Sequence, residues 1–293
     1  MFVVNSKDTN LLIENMVKIA SLNIACAGRD EKFNPLWKRL PTLCKFIKDN
    51  KDQHNFDILC VQEVRPTGVG KTQEELQVDN TSFKAYDVVN TLAAILGGWE
   101  FVVHKVNPSG GSFYRTTFWN PDKYVCHQNQ VLYTKNIKDN QFPYMLMVSS
   151  FTAANSCDNT TQFKVFNCHA PPFNIDEKME YWTAMKEQLT SFNNTVAIGD
   201  VNKFEDQLTH YKCLFDDEFP DRVPGDTLTF VSFECDTKPD GSLWRSSLDA
   251  VIANNKHDVD VIVVPTTVPL CPVDTNDVRP TDHFLLVADV NFA

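Results

Sequence analysis

Along this chain, short apolar runs rich in β-branched and aromatic residues alternate with stretches in which apolar positions recur every three to four residues. The short runs, bounded by Gly, Pro, Asn and Asp, predict strands over Val17–Ile24, Phe56–Gln62, Trp99–Val106, Phe113–Trp119, Lys123–Tyr133, Tyr144–Thr152, Gln162–Cys168, Thr195–Ile198, Ser247–Ala253, Val259–Val264 and Phe284–Val290. Helical spacing puts Leu36, Leu40, Leu43 and Ile47 on one face, predicting a helix over Leu36–Asn50 that begins near Leu40 or kinks at Pro41. A second helix is expected over Lys84–Leu96, ending at the Gly97-Gly98 cap. A third, Asp176–Phe192, carries acidic residues in its first turn, where the helix dipole favours them. The later strands follow one another without intervening helices, so antiparallel sheets with outer helices are expected, not a βαβ repeat. No repeat, low-complexity segment or linker divides the chain, which reads as one domain over 1–293 with 1–16 as an N-terminal extension.

Composition narrows the setting. Of the 293 residues, 43% are hydrophobic and 22% charged, as expected of a globular protein and not of a disordered one. No apolar stretch approaches the roughly 20 residues that span a bilayer. The first ten residues carry Lys7 and Asp8 and lack a signal-peptide core. The expected address is therefore cytoplasmic or nuclear, with no membrane anchor and no evident protein partner. The nine cysteines are irregularly spaced without a Cys-x-x-Cys pair, which argues against both a thiolate zinc site and a disulfide framework. The net charge of −11 comes without a basic block, so an anionic substrate must be met locally, by a metal and a few cations.

Polar clusters at the ends of predicted strands are the candidates for chemistry, because such loops set side chains on a rigid scaffold. Asn23 interrupts the apolar run Ile19–Ile24, and Glu63 closes Asp57–Gln62. A magnesium ion takes oxygen ligands, commonly one or two carboxylates with water and phosphate, which suits these residues. In Gly199-Asp200-Val201-Asn202 an acceptor and an amide stand two residues apart, enabling Asp200 to take a proton from water while Asn202 orients that water or a phosphate oxygen. An Asx turn after a strand accounts for that segment equally well. His169 ends another apolar run and suits a phosphate oxygen, although rim histidines are common. Asp249 begins an apolar strand where an unpaired carboxylate is costly; His283, after Asp282, is its natural partner. Arg115, inside an apolar run, needs a partner, either a phosphate or a buried carboxylate. Arg29, Lys32, Lys38, Arg39 and Arg65 are further cations near the N-terminal motifs that suit substrate phosphates, with solvated positions the default. Asp216-Asp217-Glu218 with Asp221 reads as a solvated loop. Gly68-Val69-Gly70-Lys71-Thr72 is not a Walker A loop, since Arg65 stands where its first Gly belongs.

Taken in order, Ser21-Leu22-Asn23, Gln62-Glu63, Gly199-Asp200-x-Asn202 and Thr281-Asp282-His283 resemble the endonuclease/exonuclease/phosphatase (DNase I-like) superfamily over almost the whole chain. The resemblance implies an α/β (α+β) fold: a four-layer α/β sandwich of two mixed, largely antiparallel sheets packed face to face and flanked by helices. It implies metal-site roles for Asn23, Glu63 and Asp282, with Mg²⁺ as the ion and Mn²⁺ as a substitute. Asp200 and Asn202 would activate and orient the nucleophile, Asp249 would support the catalytic His283, and His169 would bind phosphate; Asp200 and the Asp249–His283 pair compete for the role of general base. Arg115 and Arg65 are weaker candidates for substrate phosphate. The implied activity is a Mg²⁺-dependent phosphodiesterase that hydrolyses a phosphoester in nucleic acid or a nucleic-acid adduct by in-line attack of water. An inositol-phosphate-type phosphomonoesterase and a non-enzymatic binding module on the same fold are the alternatives.

Overall fold

The computed structural model describes residues 16–25, 36–64, 75–78, 81–84, 88–105, 114–133, 145–155, 162–172, 174–215, 218–223, 227–231, 238–240, 242, 244–266 and 280–292. In chain order its elements are β1 (Met16–Asn23), α1 (Leu36–His54), β2 (Ile58–Val64), β3 (Glu75–Val78), β4 (Thr81–Lys84), α2 (Val88–Ile95), β5 (Glu100–Lys105), β6 (Tyr114–Trp119), β7 (Tyr124–Tyr133), β8 (Met145–Ala153), β9 (Phe163–His169), α3 (Ile175–Ser191), β10 (Thr195–Asp200), α4 (Leu208–Leu214), β11 (Phe230–Val231), β12 (Arg245–Ser246), β13 (Asp249–Ala253), β14 (Asp258–Val264) and β15 (Leu285–Asn291). A single 3₁₀ turn, Glu205–Gln207, precedes α4. Every expected strand is present within a few residues of its expected ends.

Two mixed sheets carry the architecture. The six-stranded sheet has the order β14-β15-β1-β2-β6-β5, and the five-stranded sheet β13-β10-β9-β8-β7. The pairs β1–β2 and β9–β10 are parallel, and the other pairs in both sheets are antiparallel. Alternation along each strand sends successive side chains to opposite faces. Ile19, Ile58, Trp119, Phe151, Val165, Ile198 and Val251 face inward and make the core between the sheets. Ala20, Leu22, Leu59 and Val61 face outward onto Leu40, Leu43, Ile47 and Leu92 of α1 and α2. On the far side, Phe166, Ala197 and Ile252 meet Tyr181, Trp182, Met185 and Tyr211 of α3 and α4. The layers are therefore helix, sheet, sheet, helix, the expected four-layer sandwich.

The helices differ from expectation in instructive ways. α1 runs through Pro41 from Leu36 to His54. The missing Pro41 amide forfeits a backbone hydrogen bond, but burial of Leu36, Leu40, Leu43, Cys44 and Ile47 on one face outweighs it. α2 is shorter than expected because Lys84 ends β4; residues 85–87 lie outside the described residues. Its C-terminus is capped as expected: Gly98 N donates to Ala93 O (3.0 Å) and Gly97 N to Ala94 O (3.0 Å), both glycines at positive φ. Asn174 caps α3 by accepting from the Asp176 and Glu177 amides. Among the described residues no helix is long and apolar enough to cross a membrane.

Candidate active site

All the sequence-predicted residues that the structure describes, Arg115 included, lie at or behind one end of the sandwich, because the strands that carry them point the same way or begin where their neighbours end. Cross-strand register alone aligns three of them. Asp200, at the end of β10, sits opposite His169 of parallel β9 and opposite Asp249, the first residue of antiparallel β13. Asn23 ends β1 and Glu63 lies near the end of parallel β2. Asp282 and His283 immediately precede β15, the antiparallel neighbour of β1.

Irregular backbone aims these side chains. The β2–β6 ladder shifts register between Val61 and Val64, and Glu63 within that bulge has φ +56°. A bulge turns a side chain away from its alternating face, which brings Glu63 toward the site. Asn202 also lies in the left-handed region (φ +50°), closing a tight turn in which its amide N donates to Asp200 Oδ1 (2.9 Å). Gly199 precedes it at φ +138°, and a Cβ there would meet Cys168 O at 2.3 Å. Only glycine allows β10 to approach β9 this closely just before Asp200.

Asp200 Oδ2 is the pivot of the constellation. Asn23 Nδ2 donates to it (3.1 Å) and to Glu63 Oε1 (3.1 Å). His169 Nε2 stands 3.7 Å from Asp200 Oδ2 and 3.6 Å from Glu63 Oε1. His283 Nε2 approaches the same Asp200 oxygen from another side at 3.8 Å, while its Nδ1 is held by Asp249 Oδ2 at 3.0 Å. The Phe230 ring packs edge-on against His283 at 5.0 Å between centroids. Asp249 is itself set by Thr229, whose hydroxyl accepts from the Leu248 and Asp249 amides and whose carbonyl accepts from Phe284 N. Asp282 Oδ1 lies 4.0 Å from His283 Nε2.

Burial and charge oppose each other here. Burial, followed by the neighbouring Asp249 and Glu63 carboxylates, raises the Asp200 pKa despite the opposing pull of His283 and the Asn202 amide. Burial alone would lower His283, but Asp249, then Asp200 and Asp282, hold it well above the ordinary histidine value. His169 is pushed well below that value by burial, then by the Arg115 and His283 cations. One site therefore holds an imidazole lowered by burial and one raised by its carboxylates, with Asp200 between them.

Asn202 and Arg115 take partners that sequence reasoning did not foresee. Asn202 Nδ2 donates to Ala170 O (2.7 Å), so part of the amide expected to face a nucleophile ties β9 to β10. Arg115 is buried and donates from Nη2 to His169 O (2.7 Å), a backbone partner that sets it directly behind His169. Asn23 turns its nitrogen to the two carboxylates and its oxygen to Ala25 N (2.9 Å), which places it among the residues from which a metal site was expected. Asp221 is not solvated: its carboxylate pairs with Lys203 and accepts from Tyr211 OH (3.1 Å). Arg39 is wholly buried, away from any solvated position. Arg65, Arg29, Lys32, the Gly68–Thr72 segment, Asp216 and Asp217 lie outside the described residues, as does the side chain of Lys38.

One turn of α3 backs the five-stranded side of the site. Lys178 Nζ donates to Asn202 O (2.9 Å) and Gln207 Oε1 (2.6 Å), Trp182 Nε1 donates to Val201 O (3.0 Å), and Tyr181 OH accepts from His169 N (3.1 Å). Burial lowers the Lys178 pKa to about 8 against the opposing pull of Asp200 and Asp206. The spacing 178, 181, 182 is a helical i, i+3, i+4 face; that signal was present in the sequence, but reads there as an ordinary core stripe. Below the site, Gln62 Nε2 donates to Ser21 Oγ (2.9 Å) and Asn167 Oδ1 (2.8 Å), and Asn167 Nδ2 donates to Thr116 O (3.0 Å). These buried amides cross from one sheet to the other and fix their relative position.

The donor set suits a hard cation. Glu63 Oε1 and Asp200 Oδ2 converge on a single amide nitrogen, and Asp282 adds a carboxylate beside His283. Carboxylates held this close repel one another, and a divalent ion relieves that repulsion. Among the described residues, no three His, Cys, Asp or Glu side chains already form a closed metal cage. Mg²⁺ does not require one, since it keeps several waters and takes one or two carboxylates.

No family model matches the chain, and no curated protein matches it in sequence. Solved structures do match its fold. An endonuclease/exonuclease/phosphatase of Bacteroides vulgatus superposes with a TM-score of 0.67 at 14% identity, over 95% of this chain and 99% of that chain. A mannosyl-6-phosphatase of Bacteroides thetaiotaomicron gives a TM-score of 0.65 at 15% identity, over 94% and 99%. TDP2 of D. rerio, solved with a single-strand DNA product, gives 0.64 at 12% identity, over 94% and 99%. The chain has the fold of the endonuclease/exonuclease/phosphatase proteins, which the ordered motifs implied.

Proposed function

We propose that this protein is a Mg²⁺-dependent phosphodiesterase that hydrolyses a phosphoester in nucleic acid or a nucleic-acid adduct. The observation that carries the reading is the convergence of Asn23, His169 and His283 on Asp200 Oδ2, with Glu63 alongside. The likeness to TDP2 bound to a single-strand DNA product supports the substrate class.

Glu63 would hold the ion, with Asp282 and Asn23 beside it; bound there, Mg²⁺ offsets charge on the phosphoryl and leaving oxygens. Asp200 Oδ2 is the acceptor for the proton of the attacking water. Its Oδ1 is fixed by the Asn202 amide, so the second oxygen stays aimed into the site. His283, kept charged by Asp249, donates from Nε2 to a phosphoryl oxygen and stabilises its developing charge. Neutral His169 donates a further hydrogen bond. The Phe230 ring covers His283 and limits its access to water.

A second reading is a phosphomonoesterase. The mannosyl-6-phosphatase fits the fold about as well as TDP2 does, and the net charge of −11 favours a small anion over a long one. A panel of single-stranded and duplex DNA, abasic DNA, 5′-phosphotyrosyl DNA, RNA, a hexose 6-phosphate and inositol phosphates, each with Mg²⁺ or with chelator, separates the readings. The phosphodiesterase reading expects the nucleic-acid esters to be cleaved fastest and chelation to lower turnover at least about a hundredfold. Turnover that survives chelation overturns the mechanism, and faster cleavage of the monoesters overturns the substrate.

A further inference from the structure

Arg39 is one of several buried cations among the described residues. It lies on α1 beneath the six-stranded sheet, is fully buried (0% exposed), and points its guanidinium at three backbone carbonyls. Nη1 donates to Ile24 O (3.0 Å) and Pro280 O (2.6 Å), and Nη2 to Ala25 O (2.7 Å). Ile24 and Ala25 directly follow Asn23; Pro280 directly precedes Thr281-Asp282-His283. Ala25 adopts φ +50°, a conformation that costs a non-glycine residue free energy and persists only where its surroundings hold it.

A second tie runs beside the first. Thr281, also buried, donates from Oγ1 to Asn23 O (2.7 Å), and the same hydroxyl lies 3.3 Å from His283 N as its acceptor. Two segments more than 250 positions apart in sequence are thereby joined by side-chain bonds to backbone carbonyls, immediately beside Asn23 on one segment and Asp282-His283 on the other.

We propose that Arg39 is a positioning residue for the reaction, tying the segment that leaves Asn23 to the segment that delivers Asp282 and His283. The inference rests on the phosphoester-hydrolase reading given above. The chemistry explains why arginine stands here. A guanidinium has five donors in a rigid planar fork, so one group can bond carbonyls on two segments at once. An ammonium keeps the charge but places its donors on one nitrogen. Desolvating a cation is expensive; here three carbonyl bonds offset that cost and fix the separation of the two segments. A displacement of about 1 Å in the parts of such a site is enough to cost about a hundredfold in rate.

The test uses the full chain and the panel ester that the wild type cleaves fastest. Arg39→Lys should lower kcat per folded molecule at least about tenfold while KM stays within about twofold, the pattern of an interaction realised only in the transition state. Thr281→Val should act in the same direction, and Thr281→Ser, which restores the hydroxyl, should recover most of the loss. Folded fraction is measured by circular dichroism, so lost stability is not counted as lost rate. An unchanged kcat per folded molecule in Arg39→Lys overturns the proposal, as does a change confined to KM. If Arg39→Lys does not fold, Thr281→Val and Thr281→Ser decide on the same terms. If the wild type cleaves no ester, the functional reading fails and the tie is read by amide hydrogen exchange. Exchange should then quicken together at residues 23–25 and 281–283 in Arg39→Lys, or in Thr281→Val if the former does not fold. Quickening in one segment alone, or in neither, overturns it.

Discussion

The five-stranded sheet delivers His169, Asp200 and Asp249 from three neighbouring strands in direct cross-strand register. The six-stranded sheet reaches the same site differently: Glu63 comes from a bulge at positive φ, and Asn23 ends a strand whose continuation turns through Ala25 at φ +50°. The first half is built by the ladder itself and braced from behind by one turn of α3. The second half is held by side chains drawn from distant parts of the chain, Arg39 and Thr281. Regular geometry fixes where a row of residues sits, but irregular geometry must be held in place by additional bonds. Substitutions in the first half should therefore matter mainly at the residues themselves, and in the second half also at residues that never face substrate.

The largest effects should fall on the row and the imidazole beside it. Asp200→Asn and His283→Ala are each expected to reduce kcat by about a hundredfold to ten-thousandfold, the usual range for a lost proton acceptor or donor. Asn23→Ala, on the other half, should cost no more than about a tenth of that effect, because it orients two carboxylates and accepts no proton. Equal losses in Asp200→Asn and Asn23→Ala, measured by steady-state kinetics, would break the comparison. Asp249→Asn should lower kcat by up to about ten-thousandfold, since the amide leaves the imidazole in place but favours the wrong tautomer and removes the charge that favours its protonated form.

Two further changes test the scaffold of the row. Gly199→Ala places a methyl group against the Cys168 carbonyl at 2.3 Å and should lower unfolding free energy by about 3 kcal/mol or more. Gly97→Ala, also at positive φ but with open space around its Cβ, should cost only about 1–2 kcal/mol. Urea denaturation measures both, and equal costs would show that the close approach of β9 and β10 is not what requires glycine. The smallest effect concerns Lys178. Its folded-state pKa of about 8 lies below its ordinary value, so the unfolded chain binds the extra proton between the two. Its contribution to stability is therefore fully present above the ordinary lysine pKa and is lost as pH falls through about 8. Lys178→Met should remove that dependence, so the stability difference between wild type and variant shifts toward the wild type as pH rises above 8. A difference that stays flat in this range would show that the amine is not the titrating group.

Much of this was legible in the chain itself. Strand positions could be read because each run is apolar on alternate or all positions, and the row of His169, Asp200 and Asp249 stood at strand ends where register could align them. Asp282-His283 was legible for the same reason. The braces were not. Lys178 and Arg39 read as ordinary charged residues on amphipathic helices, since nothing local distinguishes a buried cation from a solvated one until the backbone carbonyls it serves are in place. Thr229, Thr266 and Thr281 were hidden likewise: Thr266 Oγ1 reaches the carbonyls of Thr281 (3.2 Å) and His283 (2.8 Å), contacts that depend wholly on tertiary structure. Helix α4 and the β3–β4 and β11–β12 ribbons escaped as well, being too short for a periodic signal to stand out.

β15 lies between β1 and β14, inside the six-stranded sheet and one strand in from its edge, although it is made after every other described strand. During synthesis, β1 must wait for its antiparallel neighbour until residues 285–291 have left the ribosome, and Asn23 must wait equally long for Thr281. Pairing at such sequence separation is slow to form. A nascent chain that stops short of this strand lacks the His283 imidazole and the strand that joins β1 to β14, so such products should be without activity and prone to proteolysis. The candidate site is thus assembled only when this last of the described strands is in place, so its formation and the closing of the sheet are one event.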